Sequence, residues 1–179
     1  MKKYAIALSA SALSLALLSG TASASKGDIY FIGAVTDATC DLGVTSGGVV
    51  NSTIQLGITS VNTESTPVKF ELKPVDPSAQ GCVDLEQANE VRISFGAHGL
   101  NSDGLPSQSG GATDAYVKVL SLNSSETADN SIPIKQGSET RKFKGDKIKS
   151  DGAQFQASLM GGSQKGDYHS ALAFTVVYM

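Results

Sequence analysis

An all-β fold is what this sequence predicts, on three observations. The chain is rich in Gly, Ser, Thr and Val, with 19 glycines and no tryptophan, and β-branched residues suit a pleated, half-buried surface. Runs of alternating apolar and polar residues recur along it, whereas apolar residues at helical spacing are scarce. Turn-forming clusters such as Thr45-Ser46-Gly47-Gly48 and Ser107-Gln108-Ser109-Gly110-Gly111 separate the runs.

The first 24 residues stand apart from that pattern. Lys2 and Lys3 precede an apolar stretch from Ala5 to Leu18, and Ala22-Ser23-Ala24 places small residues where a signal peptidase reads. This is the three-part layout of a cleavable secretory signal. The apolar run contains Ser9, Ser11 and Ser14 and falls short of the ~20 residues that cross a bilayer. Cleavage after Ala24 leaves 155 of the 179 residues, the size of one domain, and takes the formal charge from −3 to −5 as Lys2 and Lys3 go. A mildly acidic product disfavours nucleic acid as a partner.

Behind the signal, alternating runs are expected to form strands at Asp28–Asp37, Thr53–Gly57, Val68–Lys73, Val91–Phe95, Ala115–Leu122, Phe155–Leu159 and Ala171–Tyr178. About seven short strands in ~150 residues suggest an immunoglobulin-like sandwich. One helical turn is expected at Asp84–Asn89, and residues 99–112 and 123–131 are expected as surface loops. Cys40 and Cys82, exported to where disulfides persist, read most naturally as one bridge. Two free thiols or a metal pair are weaker alternatives, since only His98 and His169 could add ligands and neither has a recognisable spacing. No metal or cofactor is therefore expected. Neither histidine sits with a nucleophile in a catalytic motif, and the Gly-rich stretches lack the setting of phosphate loops, so no enzyme activity is expected.

The two ends of the processed chain carry the functional signal. On an extended strand Ile29, Phe31, Gly33 and Val35 share one face. Alternation alone favours an ordinary first strand, with a row of side chains filling a groove as the second reading. At the other end Leu172, Phe174, Val176 and Tyr178 share a face on a strongly apolar last strand, whose free edge should be paired by something else.

Together these features resemble the structural pilins of chaperone–usher fimbriae. The resemblance is carried by the signal peptide, by Phe31-Ile32-Gly33 leading to Cys40 with its distant partner Cys82, by Gly166, and by penultimate Tyr178. The short, glycine-rich, Trp-free domain looks more like a major shaft subunit than a tip adhesin. The resemblance implies an incomplete immunoglobulin-like sandwich, residues 37–179, whose groove is filled by a donor strand from a neighbouring subunit. It implies that residues 25–36 are the donor extension, with Ile29, Phe31 and Val35 filling the groove and Gly33 at a pocket where a side chain would obstruct exchange. Gly166, Leu172, Phe174, Val176 and Tyr178 would belong to the acceptor and chaperone-binding side. The implied partners are other copies of the chain, a periplasmic chaperone, an outer-membrane usher, and a tip or adhesin subunit. The implied route is export to the periplasm and then the cell surface. Only Ser25-Lys26-Gly27-Asp28 precede the donor face, fewer residues than in many members of that family.

One further stretch stands out. Arg141-Lys142-Phe143-Lys144-Gly145-Asp146-Lys147-Ile148-Lys149 concentrates basic residues. A solvated edge strand protected by lysines is the favoured reading. The alternative is contact of Arg141, Lys142 and Lys144 with host glycans, which would make the chain an adhesin subunit.

Overall fold

The computed structural model describes residues 40–179. The expected signal (1–24) and donor extension (25–36), with Ile29, Phe31, Gly33 and Val35, lie outside the described residues.

The described chain is a two-layer sandwich of antiparallel strands. In chain order these are β1 (Leu42–Ser46), β2 (Val49–Val50), β3 (Val68–Pro74), β4 (Val91–Gly96), β5 (Leu105–Pro106), β6 (Tyr116–Ser121), β7 (Thr140–Phe143), β8 (Ala153–Met160) and β9 (Ala173–Tyr178). The larger sheet has the order β2-β1-β3-β8-β6-β5, and the smaller has β7-β4-β9. Two short helices interrupt them, α1 (Gln80–Asp84), continued by a 3₁₀ turn at Leu85–Gln87, and α2 (Gly145–Asp151).

Period-two alternation explains which faces meet. Phe70 and Leu72 of β3, Val117 and Val119 of β6, and Phe155 and Ala157 of β8 turn inward from the larger sheet, while Val91, Ile93 and Phe95 of β4 turn inward from the smaller. Phe155 joins the layers. Its ring centroid lies 5.4 Å from that of Phe70 in its own sheet, and 5.4 Å and 5.7 Å from Phe95 and Phe143 in the other. Cys40 and Cys82 are both buried and form a disulfide, tying the start of the described chain to α1.

Several expected elements take a different form. Residues 53–57 are not a strand. Ile54 and Leu56 do pack against the core, yet the backbone from Ile54 to Ile58 finds no hydrogen-bond partner among the described residues. Alternation reports side-chain burial, and pairing needs a neighbour as well. Conversely, Leu42–Ser46 and Thr140–Phe143 are strands too short in apolar pattern to stand out. The Gly47-Gly48 pair closes the hairpin from β1 to β2 with both φ values positive, at 61° and 81°, a geometry suited to two-residue hairpin loops. The helical turn expected at Asp84–Asn89 begins earlier, at Gln80, so that Cys82 falls within it.

Candidate functional site

The last strand gives the site its geometry. Strand β9 pairs antiparallel with β4 from Gly96↔Ala173 to Val91↔Tyr178 and, among the described residues, borders no other strand on its far side. Glu90 and Met179 exchange both backbone hydrogen bonds, at 2.9 and 3.2 Å, which fixes the phase of the ladder. In an antiparallel ladder such pairs alternate with pairs that exchange none. Ala173, Thr175, Val177 and Met179 therefore aim their N–H and C=O groups at β4. Leu172, Phe174, Val176 and Tyr178 aim theirs away, and no backbone partner meets them among the described residues. The side chains of these same four residues pack against the core. One face of the strand is thus seated while its outer edge is unpaired.

Beside that edge lies a groove of about 1300 Å³. Its floor is the inner face of the larger sheet, including Leu72, Val117, Val119, Ala157 and Leu159, and Phe95, Leu172 and Phe174 line its other side. Residues 52–61 also line it, and this is the segment whose backbone is unpaired from Ile54 to Ile58. Two lengths of main chain thus border an apolar slot, each offering unpaired donors and acceptors.

The ends of β9 are pinned from opposite directions. At its C-terminal end the Tyr178 hydroxyl donates to the Cys40 carbonyl at 2.5 Å. Burial first, and then the nearby Asp41 charge, push the Tyr178 phenol up to about 12, so it stays a donor at any physiological pH. Ahead of the strand, Tyr168 donates to the Leu105 carbonyl at 2.8 Å, and burial raises its pKa to about 12 as well. His169 exchanges backbone hydrogen bonds with Ser109 at 3.1 and 3.2 Å. Gly166 takes φ 152°, and a Cβ there would sit 2.5 Å from the Cα of Gly111. Its place is the close crossing of residues 110–112 beneath the approach to β9, a position only glycine fills without strain.

With this geometry in hand, relatedness is informative. The chain is 31% identical over 166 residues to F107 fimbrial protein of Escherichia coli, an alignment covering 93% of this chain and 94% of that protein. The chain belongs to the fimbrial protein family. No protein-family model matches this fimbrial protein. Among solved structures, the P pilus rod subunit PapA aligns with a TM-score of 0.48 and 16% identity, covering 85% of this chain and all of that one. A chain of a chaperone-usher pilus aligns with a TM-score of 0.44 and 17% identity, covering 89% and 99%.

The basic stretch of the fimbrial protein is where expectation and structure part. It is not a single edge strand, because β7 ends at Phe143 and α2 begins at Gly145. Phe143 and Ile148 are both fully buried, which a continuous strand would place on opposite faces. Arg141 is fully buried too, so its guanidinium cannot meet a glycan at the surface. It donates instead to the carbonyls of Ile132 at 2.6 Å, Thr140 at 2.8 Å and Ser138 at 3.1 Å, and burial pulls its pKa below the usual arginine value. Lys142 lies near Glu90 and Glu126, at 3.7 and 3.6 Å, and Lys149 pairs with Glu86 at 2.8 Å. Lys144 is exposed with no acidic partner among the described residues.

The acceptor residues expected from the sequence, Leu172, Phe174, Val176 and Tyr178, do share one face of one strand. That residues 54–58 form a second rim, and that residues 105–115 hold the approach to β9, are facts that alternation could not report. Both depend on what the chain meets in space.

Proposed function

We propose that this fimbrial protein is a structural shaft subunit whose groove accepts the N-terminal extension of the next copy. The observation that carries the reading is the outer edge of β9, unpaired among the described residues and set beside an apolar groove. Such an edge on an isolated protein invites uncontrolled association, and a dedicated partner strand resolves the hazard. β-Augmentation supplies the physics: main-chain hydrogen bonds give pairing and alternate side chains fill pockets. Residues 28–35 suit that role, with Ile29, Phe31 and Val35 entering the groove and Gly33 at a constriction. A donor bonded to β9 on one side and to residues 54–58 on the other would complete the sandwich. The contact is head-to-tail, so repetition gives an open filament rather than a ring. Before assembly a periplasmic chaperone covers the same edge, an outer-membrane usher exchanges it for the next subunit, and a tip subunit begins the filament.

On this reading, removal of residues 1–24 leaves the donor at the new N terminus. N-terminal sequencing of filaments should therefore begin at Ser25, and a start beyond Phe31 would remove the donor and overturn the mechanism. Replacing Gly33 with Asn should slow filament growth while leaving the chaperone complex intact. Growth at the wild-type rate would show that the register of residues 28–35 is wrong.

A further inference from the structure

The start of the acceptor edge is set by a side chain. Pairing between β4 and β9 ends at Gly96↔Ala173, so the backbone just ahead of β9 has no strand beside it. At Ala171 the place of that strand is taken by the carboxamide of Gln108. Its oxygen accepts from the Ala171 N–H at 3.0 Å, and its nitrogen donates to the Ala171 carbonyl at 3.1 Å. The same nitrogen donates to the carbonyl of His98, two residues past the end of β4, at 3.2 Å. The Gln108 backbone N–H is itself held by His169 at 2.9 Å. A primary amide carries a donor and an acceptor in one plane, as a peptide group does, so it can stand in for a strand residue. Ala171 has the same phase as Ala173, so its peptide groups face the β4 side. The next residue, Leu172, then presents its N–H and C=O on the open edge.

We propose that Gln108 is a positioning residue that lengthens the acceptor edge by one rung, from Phe174 back to Leu172. This rests on the reading that β9 accepts a donor strand. Gln108 is exposed, so replacing it leaves no cavity in the core.

The test is residue-resolved hydrogen exchange on filaments grown from the full mature chain, comparing wild type with Gln108→Leu and Gln108→Glu. In wild-type filaments the amides of Leu172, Phe174, Val176 and Tyr178 should all be protected; if none is, the donor-strand reading fails and this inference with it. With that protection present, Gln108→Leu should speed exchange at Leu172 about fivefold, the loss expected for hydrogen bonds of ordinary net strength. Val176 and Tyr178 should be unchanged. Gln108→Glu keeps an acceptor for the Ala171 N–H but has no hydrogen to donate, and it too should speed exchange at Leu172 at neutral pH. Below about pH 4, where a protonated acid again has a hydrogen to donate, it should return toward wild type measured at the same pH. Unchanged exchange at Leu172 in both variants would overturn the assignment. So would equal acceleration throughout β4, β8 and β9, which would mark a general loss of stability.

Discussion

Phe155 and Phe174 are the same residue in the same sandwich, and their surroundings differ by one strand. Phe155 is fully buried, with Phe70, Phe95 and Phe143 packed around it from both sheets. Phe174 is half-buried, with Phe95 at 6.5 Å as its one aromatic neighbour among the described residues, and it lines the groove. Around Phe155 the chain supplies every neighbour itself. Around Phe174 it leaves a side of the ring and a backbone edge for something else. On the proposed donor-strand reading, subunit stability and filament assembly fall to different halves of one core, and substitutions should separate them.

The largest effect on the subunit itself should come from the closed half. Phe155→Ala removes the ring that links the sheets and should cost about 3–5 kcal/mol, measured as denaturant unfolding of the subunit with its groove filled. A loss below about 1 kcal/mol would mean that the surrounding rings repack and that the two halves are not distinct in this way.

Next come two adjacent prolines on β9, which distinguish the two edges of one strand. Val177 directs its N–H to β4, so Val177→Pro breaks a ladder hydrogen bond and should cost the subunit about 1–3 kcal/mol. Val176 directs its N–H to the open edge, so Val176→Pro breaks no bond to β4 and should cost the subunit only the Val176 packing while abolishing its addition to filaments. The measurement is a growth assay beside a thermal melt for each variant. Assembly by Val176→Pro at the wild-type rate would show that no strand pairs with this edge.

How much of this could be read from the residues follows the same division. The closed half was legible because its strands alternate and are paired within the chain: Val91–Phe95 and Phe155–Leu159 are strands within a residue or two of the expected limits. That Leu172, Phe174, Val176 and Tyr178 share one face was legible for the same reason. Thr53–Gly57 alternates just as well and is no strand, because no described strand runs beside it to pair with it. The basic run misled for a different reason. Five lysine or arginine side chains in nine residues suggest solvent, yet Arg141 is buried by its hydrogen bonds to three carbonyls from residues 132, 138 and 140, a contact set by tertiary structure. Gln108 sits in a stretch read as turn-forming, where the structure has a bend beside the Ser109↔His169 bridge, and nothing in such a composition announces which side chain will imitate a strand.

The smallest effect concerns the approach to β9 rather than either half of the core. Asp114 accepts hydrogen bonds from the Ser163 hydroxyl at 2.6 Å, the Ser163 N–H at 2.7 Å and the Gln164 N–H at 3.2 Å. These bonds, the hydroxyl's first, hold its pKa below the ordinary carboxylate value. A carboxylate depressed on folding adds stability that is fully present above its unfolded pKa, near 3.9, and lost as pH falls through the lower folded value. Asp114→Asn should therefore lower stability slightly at neutral pH, and the difference should shrink as pH falls through the lowered folded value. The carboxylate is exposed, so water competes for the same bonds and the difference stays small. Its location is more informative than its size: acid should loosen residues 163–164 while β4 and β8 stay protected from hydrogen exchange. Loss of protection at β4 in step with residues 163–164 would show that the approach to the acceptor strand and the closed core form a single cooperative unit.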